Sequence, residues 1–350
     1  MRDPVVVLKF GSSVLRDEAA LPAAVLEIYR EIRRGRRVVA VVSAFGMTTD
    51  TLLRSANEHF ERPDPRCLAR LLETGEARPT TLKDLYQLAR LTDRLANIHF
   101  FVRPCVPTDI NITEYDANAI FAGLKGTSKH FMTGAINEDG LHRILDIAAM
   151  VAGGMSRLQE KPFISLIASF AISPLKLCTQ STLIMQEAVR HRIPVALSAA
   201  PMAGSTSPVT MAGTLAQLHA EQLAGIAICQ LTNPGAPVLY GGIPGRSNLR
   251  SLAYLGGAVE CGMMNAAIHQ LAHHIRVPNY NSSGLTDSKI PDAQAGWEKA
   301  LTTVLAAMGG SNYVHHAAGM LESMLTVAYE QFVIDDEIIG MSCKVLEGIP

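Results

Sequence analysis

The sequence predicts an α/β protein, a TIM-like (β/α)8 barrel preceded by a small β-α-β segment. Three observations carry this expectation. From Thr80 onward, short apolar runs alternate with stretches of helical periodicity, and about eight such units argue for a closed parallel barrel over an open sheet. Residues 5–43 order as strand, helix, strand, a unit whose right-handed crossover leaves its strands parallel. With 350 residues, 48% hydrophobic and 18% charged, the chain is long and apolar enough for a large core.

The elements follow in order. Val5–Phe10 is a β-branched run of the kind a buried parallel strand needs, and Gly11-Ser12-Ser13 follows it as a phosphate-sized turn. Leu21–Arg34 carries apolar residues at helical spacing, Gly35 ends it, and Arg37–Ser43 makes a second apolar strand. Pro79 marks a linker around Ala77–Thr80, which sets domains of 1–77 and 78–350. Strands are then expected at Ile98–Val102, His130–Thr133, Phe163–Ala168, Pro194–Ser198, Gly225–Leu231, Pro237–Gly241, Arg276–Tyr280 and Asn312–His316. Helices are expected at Glu138–Ala152, Leu175–Arg190, Val209–Leu223, Ala258–His273, Ala293–Ala307 and Leu321–Val333.

Composition excludes several function classes. The formal net charge of -1 offers no footprint for nucleic acid or an anionic membrane, and the cluster Arg33-Arg34-Gly35-Arg36-Arg37 reads as a solvated helix end. Six scattered cysteines, with no Cys-x-x-Cys pair and no secretory signal, fit reduced thiols in a cytoplasm. Apolar stretches such as Phe163–Ile172 fall short of the roughly 20 residues that cross a bilayer. The pairs His273-His274 and His315-His316 do not suggest metal, because neighbours on a strand point to opposite faces and neighbours on a helix diverge by about 100°. No metal site is expected.

Barrels of this kind work at the C-terminal ends of their strands. The residues there are Thr133-Gly134, Ser169, Ala200-Pro201, Thr232-Asn233, Gly241-Gly242, Asn281-Ser282-Ser283 and His316. Most are small or polar, which leaves an open mouth suited to a small organic substrate and a bulky partner.

In the first segment, Val6-Val7-Leu8-Lys9-Phe10-Gly11-Ser12-Ser13-Val14, Val41–Asp50 and Leu71-Leu72-Glu73-Thr74-Gly75-Glu76 resemble the start of the aspartate kinases, members of the amino-acid kinase family. The resemblance implies phosphate contacts from Lys9 and the Gly11, Ser12 and Ser13 turn, with Glu76 near an amino-acid substrate. That family has a glycine at the Ser12 position and a further nucleotide-binding stretch, which nothing after Ala77 supplies. A small β-α-β cap with an unused anion site is the favoured reading.

In the second segment, Thr127–Met132, Ala200–Val209, Ala220-Glu221, Gly257–Glu260, Asp292–Gly296 and Tyr313–Gly319 resemble the trimethylamine methyltransferase (MttB) family. The resemblance implies a TIM-like barrel that moves a methyl group from a methylated amine to the Co(I) of a corrinoid protein, with no cofactor bound directly. Archaeal members carry pyrrolysine in a strand-end loop that corresponds here to Asn281–Lys289, which holds ordinary residues. A quaternary ammonium already carries its positive charge and leaves as a neutral amine, so glycine betaine is expected ahead of trimethylamine. Aromatic faces and a carboxylate would recognise it.

Tyr240, Tyr280 and Tyr313 are the candidate cage residues, each with a core or barrel-wall role as the alternative. Glu260 could hold the cation or act as a first-turn acid favoured by the helix dipole. Asn281 lies at the same strand ends, and His316 could bond a substrate carboxylate or a neighbouring helix. No catalytic residue is assigned.

The family carries further sequence on both flanks, so the chain reads as a fusion of two partial proteins, with homo-oligomer formation plausible from the family. Two other readings stand beside the methyltransferase: an inactive fusion or fragment, and an aspartate-kinase-like phosphotransferase.

Overall fold

The structure, a computed structural model, describes strands β1 (Val5–Phe10) and β2 (Arg37–Val42) and residues 78–349. The chain divides into two compact units, Met1–Glu73 and Thr74–Pro350. In the first unit β1 and β2 pair in parallel, with Val5 opposite Arg37 and Phe10 opposite Val42, as the β-α-β expectation requires. The Gly11-Ser12-Ser13 turn, the helix expected at Leu21–Arg34, Glu76 and the side chain of Lys9 lie outside the described residues.

The second unit opens with helix α1 (Leu82–Arg94). Thr81 and Asp84 close its first turn as a reciprocal capping box. Strands and helices then alternate: β3 (Phe100–Val102), α2 (Tyr115–Gly126), β4 (His130–Thr133), α3 (Glu138–Ala152), the short α4 (Met155–Glu160) and β5 (Ile164–Ala168). A small hairpin, β6 (Ala171–Ile172) and β7 (Lys176–Leu177), leads to α5 (Thr179–Arg190) and β8 (Val195–Leu197). There follow β9 (Met202–Ala203), α6 (Met211–Thr232), β10 (Val238–Leu239), β11 (Gly245–Ser247), β12 (Tyr254–Leu255) and α7 (Val259–His274). The last elements are β13 (Tyr280–Ser282), α8 (Ala293–Met308), β14 (Tyr313–His315), β15 (Met320–Leu321), β16 (Thr326–Val327) and α9 (Tyr329–Glu347).

Five of these strands form one parallel sheet in the order β10-β8-β5-β4-β3, and β13 pairs in parallel with β14. Tyr240 and Asn279 bridge the two sheets, through Tyr240 N to Pro278 O and Tyr280 N to Tyr240 O, each 2.9 Å. The wall therefore runs β3-β4-β5-β8-β10-β13-β14. Around it α1, α2, α3 and α5 to α9 each touch the next, and α9 touches α1. This closed ring of helices around parallel strands is a TIM-like α/β barrel.

The wall departs from the expected eight strands. The run Gly225–Leu231 is the C-terminal half of α6, not a strand. Leu218, Gln222, Gly225 and Cys229 are buried along it at three- and four-residue steps, so its apolar residues serve a helix face; a short apolar run does not distinguish the two periods. Gly225 seats that helix on Phe170, whose Cζ would lie 2.5 Å from an added Cβ. Thr232-Asn233, expected at a strand end, ends this helix instead. The last helix also starts later than expected, because Met320–Val327 folds as the β15–β16 hairpin.

Seven strands thus stand inside eight helices among the described residues, and no ladder joins β14 to β3. Side chains close that seam. Phe100 and Tyr313 stack at 3.7 Å between ring centroids. In the helix layer Tyr329 of α9 donates to Asp84 of α1 at 3.0 Å, and Asn97 N, ahead of β3, donates to Asp336 of α9 at 2.8 Å.

Inside the barrel Met132, Ala196 and Tyr280 pack with Val102, Ile167, Leu239 and Tyr313. Gly241 makes room for this layer, because an added Cβ would lie 2.0 Å from Tyr280 O and 2.6 Å from its ring. Gly241→Ala is expected to cost about 1–3 kcal/mol of stability in urea unfolding. Gly296→Ala, on a helix where a Cβ meets nothing within 4 Å, is expected to be neutral or stabilising by up to about 1 kcal/mol.

Candidate functional site

Strand parity decides which residues face the barrel interior. On β13, Tyr280 points inward and its hydroxyl donates to Leu197 O at 3.1 Å. Asn281 points outward, where its amide donates to Asn265 O of α7 at 3.3 Å. The register sets Tyr280 beside Tyr313 and Ser282 beside His315, so the inward layer at the strand ends is Ser282 and His315. His316 follows with φ 66°, which folds its ring back onto His315 at 3.4 Å between centroids. Its Nδ1 shares a 2.7 Å hydrogen bond with Ser282 Oγ.

Of the residues expected at the site, Tyr280, Tyr313 and His316 are therefore brought together. Tyr240 is not among them. It is fully buried against Ala199, Leu218, Ile268 and Ala272, facing α6 and α7, and its hydroxyl bonds His219 Nδ1 at 2.9 Å. Asn281 also faces the helix layer. Glu260, in the first turn of α7, is held by Arg246 of β11 in a partly exposed ion pair. Lys9, Gly11, Ser12 and Ser13 belong to the other unit, outside the residues whose side chains are described.

Sequence reasoning missed His315, Phe100 and Arg103. The two-residue period of β14, Tyr-Val-His, is the signal that pairs His315 with Tyr313 on one face. For Arg103, directly after β3, no such signal exists. Its guanidinium lies over the Tyr115 ring, 5.0 Å from the centroid, and 3.9 Å from Asp116 Oδ1. Arg103 Nη1, Tyr115 Oη and Asp116 Oδ1 are all buried with no hydrogen-bond partner.

A cavity of about 330 Å³ runs along the seam between β3 and β14. Phe100, Tyr313 and Phe332 give it aromatic walls, and at the strand C-terminal ends it reaches Arg103 and His316. A larger cavity of about 570 Å³, lined by His130, Ser165, Pro194, Pro237 and Pro278, opens at the strands' other ends. The first cavity is the one that meets the face where such barrels carry their sites.

The loops after β13 and β14 are fixed by a buried ion pair. Lys299 of α8 and Asp335 of α9 are both fully buried and 3.1 Å apart. Lys299 also donates to Gly284 O and Met320 O, while Asp335 accepts from Gly319 N at 2.7 Å and Gln331 Nε2 at 2.8 Å. Glu298 holds the same loop, accepting from Thr286 Oγ1 at 2.6 Å and Asp287 N at 2.9 Å. Burial pulls the Lys299 amine down and pushes the Asp335 carboxyl up, and their mutual attraction opposes both shifts. Lys299→Met is expected to destabilise the chain by about 3–5 kcal/mol in denaturant unfolding, with part recovered in Lys299→Met/Asp335→Leu.

Burial keeps the two stacked imidazoles neutral. It pushes His315 well below the ordinary histidine range, with His316 adding to the effect, and it lowers His316, with the Lys299 charge adding. Unfolded histidines take up protons as the pH falls through 6.5, and these folded ones do not. Stability therefore falls with pH below 6.5, by up to about 1.4 kcal/mol per pH unit for each imidazole. Urea unfolding of His315→Asn between pH 6.5 and 5 is expected to show a shallower slope than the unchanged chain.

The described residues include no helix long and apolar enough to cross a membrane. The chain is similar to several known proteins. Trimethylamine methyltransferase MttB of Desulfitobacterium hafniense (strain DSM 10664 / DCB-2) is 37% identical over 279 residues, covering 79% of this chain and 55% of that protein. Glycine betaine methyltransferase of Desulfitobacterium hafniense (strain Y51) is 36% identical over 276 residues, 78% of this chain and 57% of that protein. Trimethylamine methyltransferase MttB of Methanosarcina thermophila is 36% identical over 270 residues, 77% of this chain and 56% of that protein. The chain thus spans about half the length of these relatives. Among solved structures, dihydropteroate synthase from Xanthomonas albilineans in complex with 7,8-dihydropteroate superposes with a TM-score of 0.49 at 11% identity, over 81% of this chain and 92% of that one. The family described as trimethylamine methyltransferase (MTTB) matches residues 68–350, and the chain belongs to that family.

Proposed function

We propose that residues 78–350 form a methyltransferase barrel that takes a methyl group from a quaternary amine such as glycine betaine and passes it to the Co(I) of a separate corrinoid protein, the chain binding no cofactor itself. The supporting observation is the pairing, in one seam cavity, of aromatic walls with Arg103 and a neutral His316. A quaternary ammonium cannot donate a hydrogen bond from nitrogen, so ring faces are its natural partners, at about 0.5–2 kcal/mol each. Phe100 and Tyr313 supply such faces, and imidazoles held neutral add no repelling charge. Arg103, with one buried unpaired nitrogen, offers a charge-assisted bond to a carboxylate on the same molecule.

The corrinoid supplies the nucleophile. The chain's task is to hold the donor methyl in line with it and keep water out, since an amine that leaves neutral needs no proton. Glycine betaine meets each of these requirements, whereas neutral trimethylamine has a poorer leaving group and no carboxylate for Arg103. In residues 1–77 the parallel pairing of β1 and β2 fits the aspartate-kinase-like opening, and we assign it no phosphoryl transfer.

The test follows corrinoid methylation by absorbance, with Co(I) corrinoid and either glycine betaine or trimethylamine. Turnover of glycine betaine is expected, with Arg103→Gln raising its KM by about tenfold or more, as loss of about 1.5–3 kcal/mol implies. Turnover of trimethylamine with none of glycine betaine overturns the substrate assignment.

A further inference from the structure

Outside the barrel interior, two helices bring three metal-ligating side chains together. His142 lies on α3, Glu187 in the last turn of α5, and His191 at its C-cap. One ligand atom from each lies within 4.8 Å of the other two. Glu187 Oε1 is 3.1 Å from His191 Nε2 and 3.7 Å from His142 Nε2. We propose that His142, Glu187 and His191 bind a late first-row divalent cation, with Zn²⁺ the best chemical match.

Geometry carries the argument. Tetrahedral bonds of about 2.1 Å place ligand atoms about 3.4 Å apart, and the two measured separations bracket that value. Glu187 and His191, four residues apart, share one face of α5, and His142 completes the set from the neighbouring helix. Two imidazoles and a carboxylate are the donors of open zinc sites, with water as the fourth ligand. The side chains are 50%, 17% and 31% exposed in chain order, so a cation can reach them and His142 can turn to close the set.

The local charge is favourable on balance. Arg190 bonds Glu187 Oε2 at 2.7 Å, while Oε1 faces the imidazoles and shares a hydrogen bond with His191 Nε2 that a bound cation would replace. The C-terminal end of α5 adds partial negative charge. The guanidinium itself repels a cation, so Arg190 weakens a site that the helix end and carboxylate create.

The test uses the full chain, stripped with EDTA and titrated with ZnCl₂ by calorimetry, with the melting temperature followed in parallel. The chain is expected to bind Zn²⁺ at this site with a rise in melting temperature, and to show tetrahedral cobalt absorption when Co²⁺ replaces zinc. His142→Ala and His191→Ala, at exposed or half-buried positions, are expected to keep the zinc-free melting temperature and to bind at least about tenfold more weakly. Arg190→Gln is expected to bind more tightly. Absence of zinc binding by the unchanged chain, or equal affinity in both histidine variants, overturns the proposal.

Discussion

The site depends on one buried ion pair. Lys299 and Asp335 sit where neither can reach water, and an isolated charge there would be prohibitive, so each requires the other. What remains of their hydrogen-bonding capacity goes to the Gly284 and Met320 carbonyls for the amine, and to the Gly319 amide and the Gln331 side chain for the carboxylate. Two helices are thereby tied to the two loops that follow β13 and β14. Ser282, His315 and His316 hold their positions because the chain on either side of them cannot slide. Gly284 fits the same arrangement with φ 73°, where an added Cβ would lie 2.8 Å from Ala317 Cα.

The imidazoles beside this clamp are held neutral by burial. His315 and His316 are stacked and neutral, Tyr280 spends its hydroxyl on Leu197 O, and Tyr313 is flattened on Phe100. None of these groups is poised to move a proton. The proposed donor, a cation recognised by ring faces and shape, fits such surroundings. Arg103 is the exception, a charge at the cavity's edge whose nearest carboxylate stands at 3.9 Å, too long for a hydrogen bond.

Much of this was legible in the sequence where period and punctuation agree. Glu138–Ala152 was readable to the residue, because Asn137 caps one end, Gly153 turns left-handed at the other, and Leu141, Ile144, Leu145 and Ala148 mark its buried stripe. Gly225–Leu231 was misread because its apolar run is too short to show which period it follows, and its tertiary partner Phe170 lies far away in sequence. Tyr240 and Tyr280 look alike as strand-end tyrosines, yet they face opposite sides of the wall; only the register could separate them. Tyr313 and His316, both within one quoted motif, line one cavity, while Arg103, Lys299 and Asp335 lay outside any pattern.

The seam between β3 and β14 has a consequence for how the barrel yields. Every other neighbouring pair in the wall is joined by directional backbone bonds that must break together. Here no ladder joins the strands, and the seam rests on two rings lying face to face and on the Tyr329–Asp84 and Asn97–Asp336 bonds. The wall is therefore stiff around most of its circumference and compliant along one line, like a cylinder slit on one side. The aromatic cavity lies along that slit, so the least tightly bonded line of the wall is also one side of the cavity.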